Sequence, residues 1–320
     1  MNRIGIVVVA YNSEREIGRC LDSLPPGVET VVVDNASQDG TRGEVARRPA
    51  VRLIANPWNR GFAGGANQGI GALDCDLVLL LNPDVELVSG LDALASQFDL
   101  AEVAGAGGKL LGKDGRSQAG FMVRRLPTPW TLVFETLGLN RLWPGNPVNR
   151  RYRCFDLDPD LEATVEQPAG AFLMIRRDVW RQVGGFDESF YPVWFEDVDF
   201  AKRVATAGYR MRYSPQTVAK HSGGQSVGQL PRSTRDLRWC GSLLEYAFKH
   251  FARGGALAVC TSVAAGSILR AVLAPFRGKP LEAIVSCVSI IQLAGVVFLS
   301  GLTGTRTFRQ PLRYSRMARR

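Results

Sequence analysis

The sequence predicts an α/β fold built on an open, mostly parallel β-sheet flanked by helices. Three observations predict it: four short apolar runs in the first 82 residues, stretches with helical spacing between them, and polar residues directly after each run. The runs are continuous rather than alternating, which is typical of strands covered on both faces. Strands and helices in alternation indicate βαβ units and an open twisted sheet.

The predicted elements follow each other at a regular rhythm. The strands are expected at residues 4–10, 30–33, 51–55 and 77–81, and the helices at residues 13–24, 40–47 and 62–73. Ser13 and Glu16 have the S-x-x-E spacing of a capping box, which predicts the start of the first helix. Polar residues follow the strands at positions 11–13, 34–37, 56–59 and 82–84. In such a sheet the ligand lies at the carboxyl ends of the strands, so these residues predict a site.

The rest of the chain divides by composition. Residues 105–152 are rich in glycine, proline and arginine, and we expect an irregular insertion near an acceptor site. A second structured block spans residues 167–221. We expect one catalytic domain at residues 1–225, with a nucleotide-binding half at 1–104 and an acceptor half at 105–225. Residues 226–320 are expected to form a helical appendage.

Charge and cysteine content restrict the partners and the compartment. The net charge of +9 indicates an anionic partner or surface. Six arginines and no acidic residue lie within residues 304–320, after an apolar stretch, which favours anionic lipid over nucleic acid. A solvated tail is the alternative. The six cysteines are far apart and lack zinc spacing, which indicates buried thiols in a reducing compartment. Without a signal-peptide pattern, most of the protein is expected in the cytoplasm.

Two groups of carboxylates have the pattern of reactive groups. Asp84 follows the most hydrophobic strand, where one carboxylate, a diphosphate and water would suit Mg²⁺. The second group is Glu196, Asp197 and Asp199, embedded among aromatic residues at the start of a helical stretch. Repulsion and burial are expected to raise one carboxyl pKa in this group, as a general base requires. Helix capping is the alternative for both groups. His221, after a β-like stretch, is a candidate ligand to the cation or to a phosphate.

The chain resembles the inverting glycosyltransferases of family 2, which have the GT-A fold, and within them the bacterial rhamnosyltransferase branch. The resemblance covers residues 3–225. It rests on ordered motifs: V-V-V-A-Y-N-S, V-V-D-N-A-S-Q-D-G, N-x-x-N-x-G-F-A-G-G-A-N, L-N-P-D-V, G-A-F-L-M-I-R-R, G-G-F-D-E-S-F and F-E-D-V-D-F followed by A-G-Y-R.

The resemblance implies a role for each matching residue. Asp197 would be the catalytic base, with Glu196 beside it. Asp84 and His221 would hold Mg²⁺ or Mn²⁺, although Asn82 replaces the first aspartate of the family's D-x-D motif. The donor nucleotide would be bound by Ala10, Tyr11, Asn12, Asp34, Asn35, Ser37, Asn59, Gly61, Phe62, Asn67 and Asp84. The acceptor would be bound by Gly185, Phe186, Asp187 and Trp194.

The resemblance further implies dTDP-L-rhamnose as the donor and a lipid-linked or growing surface glycan as the acceptor. Another dTDP- or UDP-linked sugar is an alternative donor. A sugar-phosphate nucleotidylyltransferase is a different enzyme with a similar sheet, but the glycine-rich basic loop that it needs after the first strand is not there. A non-catalytic nucleotide- or glycan-binding subunit is the third hypothesis, and a homodimer is the candidate oligomer.

The C-terminal third predicts attachment to a membrane. Residues 283–302 carry no charge, and residues 254–269 form a shorter uncharged stretch flanked by basic residues. Twenty apolar residues are just long enough to span a bilayer. Serine, glycine and Gln292 within them favour helices that lie in the cytoplasmic leaflet of the inner membrane, peripheral or monotopic. Two helices packed on the catalytic domain are the alternative.

Overall fold

The computed structural model describes residues 2–223, 228, 230–277 and 280–303. The chain forms two compact units. The first, called here the sheet unit, comprises residues 1–126 and 150–230; the second, the helical unit, comprises residues 127–149 and 231–320. The predicted boundary after residue 225 lies among residues outside the described ones. Residues 127–149, expected in the catalytic domain, group with the C-terminal helices instead.

The strands of the described residues, in chain order, are β1 (Ile4–Ala10), β2 (Glu29–Asp34), β3 (Val51–Ala55), β4 (Leu77–Leu81), β5 (Val85–Leu87), β6 (Val103–Leu111), β7 (Val123–Arg124), β8 (Ala163–Val165), β9 (Gln167–Pro168), β10 (Phe172–Arg176) and β11 (Arg210–His221). The helices are α1 (Ile17–Asp22), α2 (Thr41–Ala46), α3 (Gly61–Gly71), α4 (Asp92–Ala95), α5 (Pro129–Thr136), α6 (Leu139–Leu142), α7 (Pro147–Tyr152), α8 (Arg177–Gln182), α9 (Glu196–Thr206), α10 (Arg232–His250), α11 (Arg253–Leu273) and α12 (Pro280–Thr303). Short 3₁₀ helices occupy Ser96–Asp99 and Ala274–Arg277.

The sheet has the order β3-β2-β1-β4-β10-β6-β11-β5, and β8 pairs with β11. Strands β1 to β4, β6 and β11 run in one direction, because β1–β2, β1–β4, β2–β3 and β6–β11 are parallel pairs and β10 is antiparallel to both β4 and β6. Strands β5, β8 and β10 run the opposite way. The predicted fold class, a mostly parallel sheet flanked by helices, is confirmed.

The central strands are buried on both faces, as their continuous apolar sequence predicts. In β1, Ile6 and Val8 face the core that contains α1 and α2, whereas Val7 and Val9 face the core that contains α3, α8 and α9. The same alternation holds in β4, whose five residues are all buried. Because these two apolar layers cover both faces of the central strands, the polar residues lie where the strands end, at the edge of the sheet.

Two local expectations were wrong. Helix α1 begins only at Ile17, with Glu16 at the N-cap position and no capping bond from a side chain, so the predicted capping box does not start it. Residues 105–111, expected to be irregular, belong to the inner strand β6. Their glycines are needed for packing, because Met211 fills the space of a Cβ at Gly105 and Phe172 fills it at Gly108.

In the helical unit, the predicted apolar stretches form the long helices α11 and α12, which pack on each other and on α10. Helix α5 joins them: the hydroxyls of Thr136 and Ser262 are 2.7 Å apart, and the guanidinium of Arg270 donates to the carbonyl of Thr136 at 3.1 Å. Helices α11 and α12 are long and apolar enough to cross a membrane by length and composition. Membrane association itself stays a prediction.

Candidate active site

The polar residues predicted at the strand ends meet at one edge of the sheet. Strands β1 to β4 all end there because they are parallel. Strand β11 ends at the same edge, at His221, which pairs with Val85 at the start of antiparallel β5. Strand β10 starts there, since Phe172 pairs with Leu81 at the end of β4. The topology therefore brings together groups that are more than 180 residues apart in sequence.

Asp34, at the end of β2, is fully buried and only partly satisfied. Its Oδ2 accepts from Arg42 Nε at 2.6 Å and from the backbone N–H of Ser37 at 3.3 Å. Its Oδ1 is buried and has no partner among the described residues. An unpaired buried carboxylate oxygen is costly, so this atom is positioned to accept a hydrogen bond from a ligand.

The neighbouring predicted nucleotide residues hold one another in place. The backbone N–H of Asn12 donates to Ser37 Oγ, and Asn12 itself has a φ of 49°. Asn35 is satisfied within the protein: its amide donates to the carbonyl of Gly61 at 2.8 Å and its oxygen accepts from Asn56. Among the predicted residues here, Tyr11 is half-buried, whereas Ala10 is in the core.

The segment from Asn59 to Phe62 lies against the aromatic loop that precedes α9. The hydroxyl of Tyr191 donates to the carbonyl of Asn59, and the N–H of Phe62 donates to the carbonyl of Pro192 at 2.7 Å. Gly61 has a φ of 75°, and a Cβ there would lie 3.0 Å from the carbonyl oxygen of Pro192. Only glycine combines this conformation with this approach.

Asn67 and the residues predicted around the acceptor are in direct contact. Its Oδ1 accepts from the backbone N–H of Phe186 at 2.9 Å, and its Nδ2 donates to the carbonyl of Phe186 at 2.8 Å. The side chain of Phe186 is buried against Phe200, and Gly185 has a φ of 71° next to Asn67. Asn67 thus positions the loop that carries Asp187, whose own side chain accepts from the N–H of Ser189.

Asp84 and His221 meet at the same edge. Asp84 Oδ1 and His221 Nε2 are 3.6 Å apart, and both side chains are nearly buried. On the other side of the ring, Gln118 binds His221 twice: its Nε2 donates to the carbonyl of His221 at 3.0 Å, and its Oε1 lies 2.9 Å from Nδ1. Since Oε1 can only accept, Nδ1 carries the proton. The ring of Phe121 stacks on His221 with centroids 5.0 Å apart.

The proton on Nδ1 leaves Nε2 of a neutral His221 with a lone pair directed toward Asp84. Burial lowers the pKa of His221 and favours this neutral ring, while the charge of Asp84 acts in the opposite sense. Two acceptor atoms facing each other at 3.6 Å fit a shared cation. In the described part of the chain no cluster of three His, Cys, Asp or Glu side chains could hold a metal. A cation here would therefore take its remaining ligands from a diphosphate and water.

Asp197, the predicted base, is anchored at the start of α9. Its Oδ2 accepts from Gln167 Nε2 at 3.0 Å and from the backbone N–H of Gly170 at 3.1 Å, and its Oδ1 accepts from the N–H of Val198. Burial raises the pKa of Asp197, against the effect of the backbone hydrogen bonds and of the Arg124 charge. A carboxylate with this raised pKa is a better proton acceptor than a solvated one.

The turn before α9 has an unusual backbone. Trp194 and Phe195 both have positive φ, 82° and 69°, which is uncommon for bulky residues and costs energy. Glu196 follows them and is 5% exposed, and its Oε2 has no partner among the described residues. Burial, and then the charge of Asp197, raise the pKa of Glu196 well above its usual range. The turn thus holds two unlike carboxyls next to each other: both oxygens of Asp197 accept hydrogen bonds, whereas Oε2 of Glu196 has no partner among the described residues.

Sequence reasoning missed several residues of this edge. Gln118, Phe121 and Arg124 lie in the stretch expected to be an irregular insertion, and Gln167 and Gly170 were not assigned roles. One signal for Gly170 was its place in the G-A-F-L-M-I-R-R motif. Nothing in the local pattern indicated Gln118, because its contact with His221 joins positions 103 residues apart.

The family models for two groups of glycosyl transferases match the chain. Residues 5–156 match the model described as glycosyl transferase family 2, and residues 161–314 match glycosyl transferase family 21. The N-acetylglucosaminyl-diphospho-decaprenol L-rhamnosyltransferase of Mycobacterium tuberculosis is 32% identical over 245 residues, which cover 71% of this chain and 78% of the relative. The low-salt glycan biosynthesis hexosyltransferase Agl10 of Haloferax volcanii is 28% identical over 209 residues, 64% of this chain and 62% of the relative.

Solved structures share the fold at low sequence identity. The mannosyltransferase PcManGT from Pyrobaculum calidifontis, in complex with GDP-Man and Mn²⁺, has a TM-score of 0.51 and 19% identity, covering 95% of this chain and 88% of its own. GalNAc-T7 with UDP, GalNAc and Mn²⁺ has a TM-score of 0.53 and 14% identity, covering 76% of this chain and 48% of its own.

Proposed function

The chain belongs to glycosyltransferase family 2, in its rhamnosyltransferase-like branch and with the GT-A fold, and we propose that it transfers L-rhamnose with inversion from dTDP-L-rhamnose to a lipid-linked or cell-surface glycan. The observation that carries the proposal is the convergence of Asp197 with the facing acceptor atoms of Asp84 and His221 at one edge of the sheet. An inverting transfer needs a base for the acceptor hydroxyl and positive charge next to the diphosphate leaving group, and residues suited to each are found at this edge.

The donor nucleotide is proposed to bind beside Asp34. The unpaired Oδ1 of Asp34 accepts a hydrogen bond from the N3–H of uracil or thymine, whereas cytosine has no proton at N3. Arg42 and Ser37 hold the other oxygen, so the carboxylate is fixed in orientation. This chemistry supports a dTDP- or UDP-linked donor over a CDP-linked one. Tyr11 and Asn12 are proposed to line the same pocket.

Asp84 and His221 are proposed to hold Mg²⁺ or Mn²⁺. When bound, the cation supplies positive charge that stabilises the diphosphate leaving group. Gln118 keeps the ring of His221 oriented, and Phe121 covers one of its faces. Asp84 is the only carboxylate of this pair, so the remaining negative charge at the site comes from the substrate.

Asp197 is proposed to take the proton from the acceptor hydroxyl as the hydroxyl attacks the anomeric carbon. Hydrogen bonds from Gln167 and Gly170 fix the carboxylate in the orientation that this step needs. Trp194, next to the acid pair, is proposed to bind the acceptor sugar, together with Asp187 and the loop that Asn67 positions. Glu196 is proposed to remain protonated, so that it carries no negative charge next to the ionised Asp197.

The acceptor is proposed to be a polyprenyl-diphosphate-linked sugar at the cytoplasmic face of the inner membrane. The M. tuberculosis relative is named for a decaprenyl-diphosphate acceptor. In the helical unit, Ile268, Leu269 and Val272 of α11 and Leu299 of α12 are between 48% and 63% exposed, and Trp143 is 62% exposed. Such aliphatic and aromatic exposure supports peripheral or monotopic contact with lipid.

The experiment that tests the function combines binding and turnover. Unfolding temperature is measured with dTDP, UDP, CDP and GDP and with their sugars, each with and without Mn²⁺. A ligand at 100 times its Kd stabilises by about 2.7 kcal/mol, a shift that is easily measured. We expect dTDP and UDP compounds to stabilise the protein and CDP to have little effect. Failure of every pyrimidine diphosphate to shift the melting of the folded protein would overturn the proposal.

The base assignment is tested separately with Asp197→Asn. The amide oxygen of the new side chain can still accept from Gln167 and Gly170, so the fold and nucleotide binding should persist while turnover is lost. Asp178→Asn, on the exposed side of α8, is the matched control and should leave turnover unchanged. Wild-type turnover in Asp197→Asn would contradict the base assignment. Binding without any turnover in the wild type would favour a nucleotide-binding subunit.

A further inference from the structure

Arg124 is connected to the proposed base, Asp197, through a single residue, Gln167. It forms the short strand β7 with Val123, and in the ladder with β9 it pairs directly with Gln167. The amide of Gln167 donates to Asp197 Oδ2 at 3.0 Å. Residues paired across antiparallel strands have Cβ atoms about 4.5–5.5 Å apart. The guanidinium is close enough for its charge to act on the carboxylate of Asp197.

The guanidinium of Arg124 is held in place but not neutralised. Its Nε donates to the carbonyl of Gly120 at 2.9 Å, and its Cζ lies 5.7 Å from the ring centroid of Phe121 and 5.8 Å from that of Tyr152. These contacts fix the plane of the group. Within the part of the chain that the structure describes, no carboxylate lies within ion-pair distance and the two terminal nitrogens make no hydrogen bond. The four N–H donors of these two nitrogens are therefore open to a ligand.

Two other arginines of the sheet unit, Arg125 and Arg203, have carboxylate partners. Arg125 is within 3.8 Å of Asp156 and 3.6 Å of Glu166. Arg203 donates to Asp199 and to two backbone carbonyls. Arg124 instead donates only through Nε, to the carbonyl of Gly120, and has no carboxylate partner among the described residues. An ordered guanidinium that keeps its fork of donors free is suited to bind a ligand with several oxygen acceptors.

We infer that Arg124, ordered by Phe121 and Tyr152 next to Asp197, forms a subsite for a phosphate group of a substrate. The inference rests on the proposed function, because both substrates of that reaction carry a diphosphate. Phosphate oxygens match the paired N–H donors of a guanidinium, and the planar group can bind two of them at once. The arginine would thereby fix an anionic substrate close to the proton acceptor.

The phosphate could belong to the acceptor or to the donor, and Arg124 has contacts that support each of these assignments. On the acceptor side, Arg124 is the cross-strand neighbour of Gln167, which binds the base, so the diphosphate of a lipid-linked acceptor would bring its sugar hydroxyl near Asp197. On the donor side, the ring of Phe121 contacts both Arg124, whose Cζ is 5.7 Å from its centroid, and the ring of His221, whose centroid is 5.0 Å away. The shared chemistry is a diphosphate; its source is decided by experiment.

The test compares Arg124→Gln and Arg124→Lys with Arg125→Gln, a control that removes the same charge from the adjacent position. Binding of dTDP, thymidine and inorganic pyrophosphate is measured by calorimetry with Mn²⁺ present. KM is then measured for two acceptors: a short-chain prenyl-diphosphate-linked N-acetylglucosamine and an alkyl N-acetylglucosaminide without phosphate. Circular dichroism and unfolding temperature verify that each variant is folded.

A loss of hydrogen bonds to a charged group predicts a weakening of about 10- to 100-fold in Arg124→Gln, with partial recovery in Arg124→Lys. If the phosphate belongs to the acceptor, KM rises for the diphosphate-linked acceptor alone, and dTDP binding is unchanged. If it belongs to the donor, dTDP and pyrophosphate bind more weakly and thymidine does not. Equal values for Arg124→Gln and Arg125→Gln in all these measurements overturn the inference. A wild type that binds no pyrimidine diphosphate would instead overturn the proposed function.

Discussion

The backbone N–H of Gly170 donates a hydrogen bond to Asp197 Oδ2 over 3.1 Å, and a Cβ on Gly170 would lie only 2.9 Å from the Cβ of Asp197. Gly170, two residues before β10, thus both orients the proposed base and leaves room for it. Gly170 is glycine because of this contact, since no positive φ is required there. The relationship can be tested without touching the carboxylate itself.

Gly170→Ala should displace the Asp197 side chain while the nucleotide side of the edge stays intact. A base misplaced by about 1 Å typically costs up to 100-fold in rate, so we expect kcat to fall by roughly 10- to 100-fold with unchanged dTDP affinity. The measurement is steady-state turnover together with calorimetric binding. Gly43→Ala in α2, where a Cβ meets no atom within 4 Å, is the control and should keep full turnover. An unimpaired Gly170→Ala enzyme would show that Asp197 is not held by this contact.

The pH dependence of kcat/KM should reflect the environment of Asp197. Burial raises its pKa, and the base must be ionised to act, so activity should fall as pH decreases through a pKa above the ordinary range of aspartate. The positive charge of Arg124 opposes this shift, so Arg124→Gln should move the acidic limb to still higher pH. The profile is measured for both proteins at saturating cation. An acidic limb at the pKa of a solvated aspartate would contradict the base assignment.

The sequence predicts features that depend on nearby residues better than features that depend on contacts between residues far apart in the chain. The β1, β3 and β4 bounds agree with the predicted ones. Strands β1 and β4 are continuous apolar runs buried on both faces, whereas β3 is an edge strand, contains Arg52 and is only partly buried. Helices α2 and α3 begin within one residue of the predicted starts, whereas α1 begins at Ile17 rather than at Ser13. The strand β6 was missed because its glycines are dictated by side chains from other strands.

The same limit applies to the site. Asp84 and His221 could be singled out by their residue types and their positions at strand ends, and Asp197 by its place in an acidic cluster at the start of a helix. The residues that orient them, such as Gln118 and Gln167, touch them only through the fold, and an amide in a glycine-rich stretch has no local signature. The nucleotide role of Asn67 stays a prediction; its hydrogen bonds to Phe186 are a contact that the sequence did not indicate.

Gln118→Leu should weaken cation binding. The substitution removes the Gln118 oxygen that accepts a hydrogen bond from Nδ1 of His221. The lone pair on Nε2 is then no longer held toward Asp84. Loss of such an orienting partner typically costs 10- to 100-fold in metal affinity, and we expect about that loss for Mn²⁺. Mn²⁺ binding is measured by electron paramagnetic resonance in the presence of dTDP, together with unfolding temperature. Gln182→Leu on the protein surface is the control; equal Mn²⁺ affinity in the two variants would contradict the prediction.

Gly69→Ala should destabilise the sheet unit. A Cβ at this position of α3 would lie 2.5 Å from Val7 Cγ1 and 3.2 Å from Val33 Cγ2, so β1 and β2 must shift. Overpacking of this kind costs about 1–3 kcal/mol of unfolding free energy. Gly71→Ala, at the end of the same helix with no atom within 4 Å, is the control and should not destabilise. Denaturant unfolding that gives the same midpoint for both variants would show that α3 is not held this closely to the sheet.

Lipid binding should depend on the exposed aliphatic face of α11. Replacing Ile268, Leu269 and Val272 with serine removes side chains that are 48–62% exposed to water. Each side chain that enters hydrocarbon contributes about 1.5–3 kcal/mol, so flotation with phosphatidylglycerol vesicles should weaken by at least about 100-fold. Serine at the similarly exposed Val88, Leu100 and Leu161 of the sheet unit is the matched control. Turnover on a water-soluble acceptor should survive in both triple variants, whereas turnover on a vesicle-embedded acceptor should fall only in the first. Equal flotation of the two triple variants would place the membrane contact on another surface.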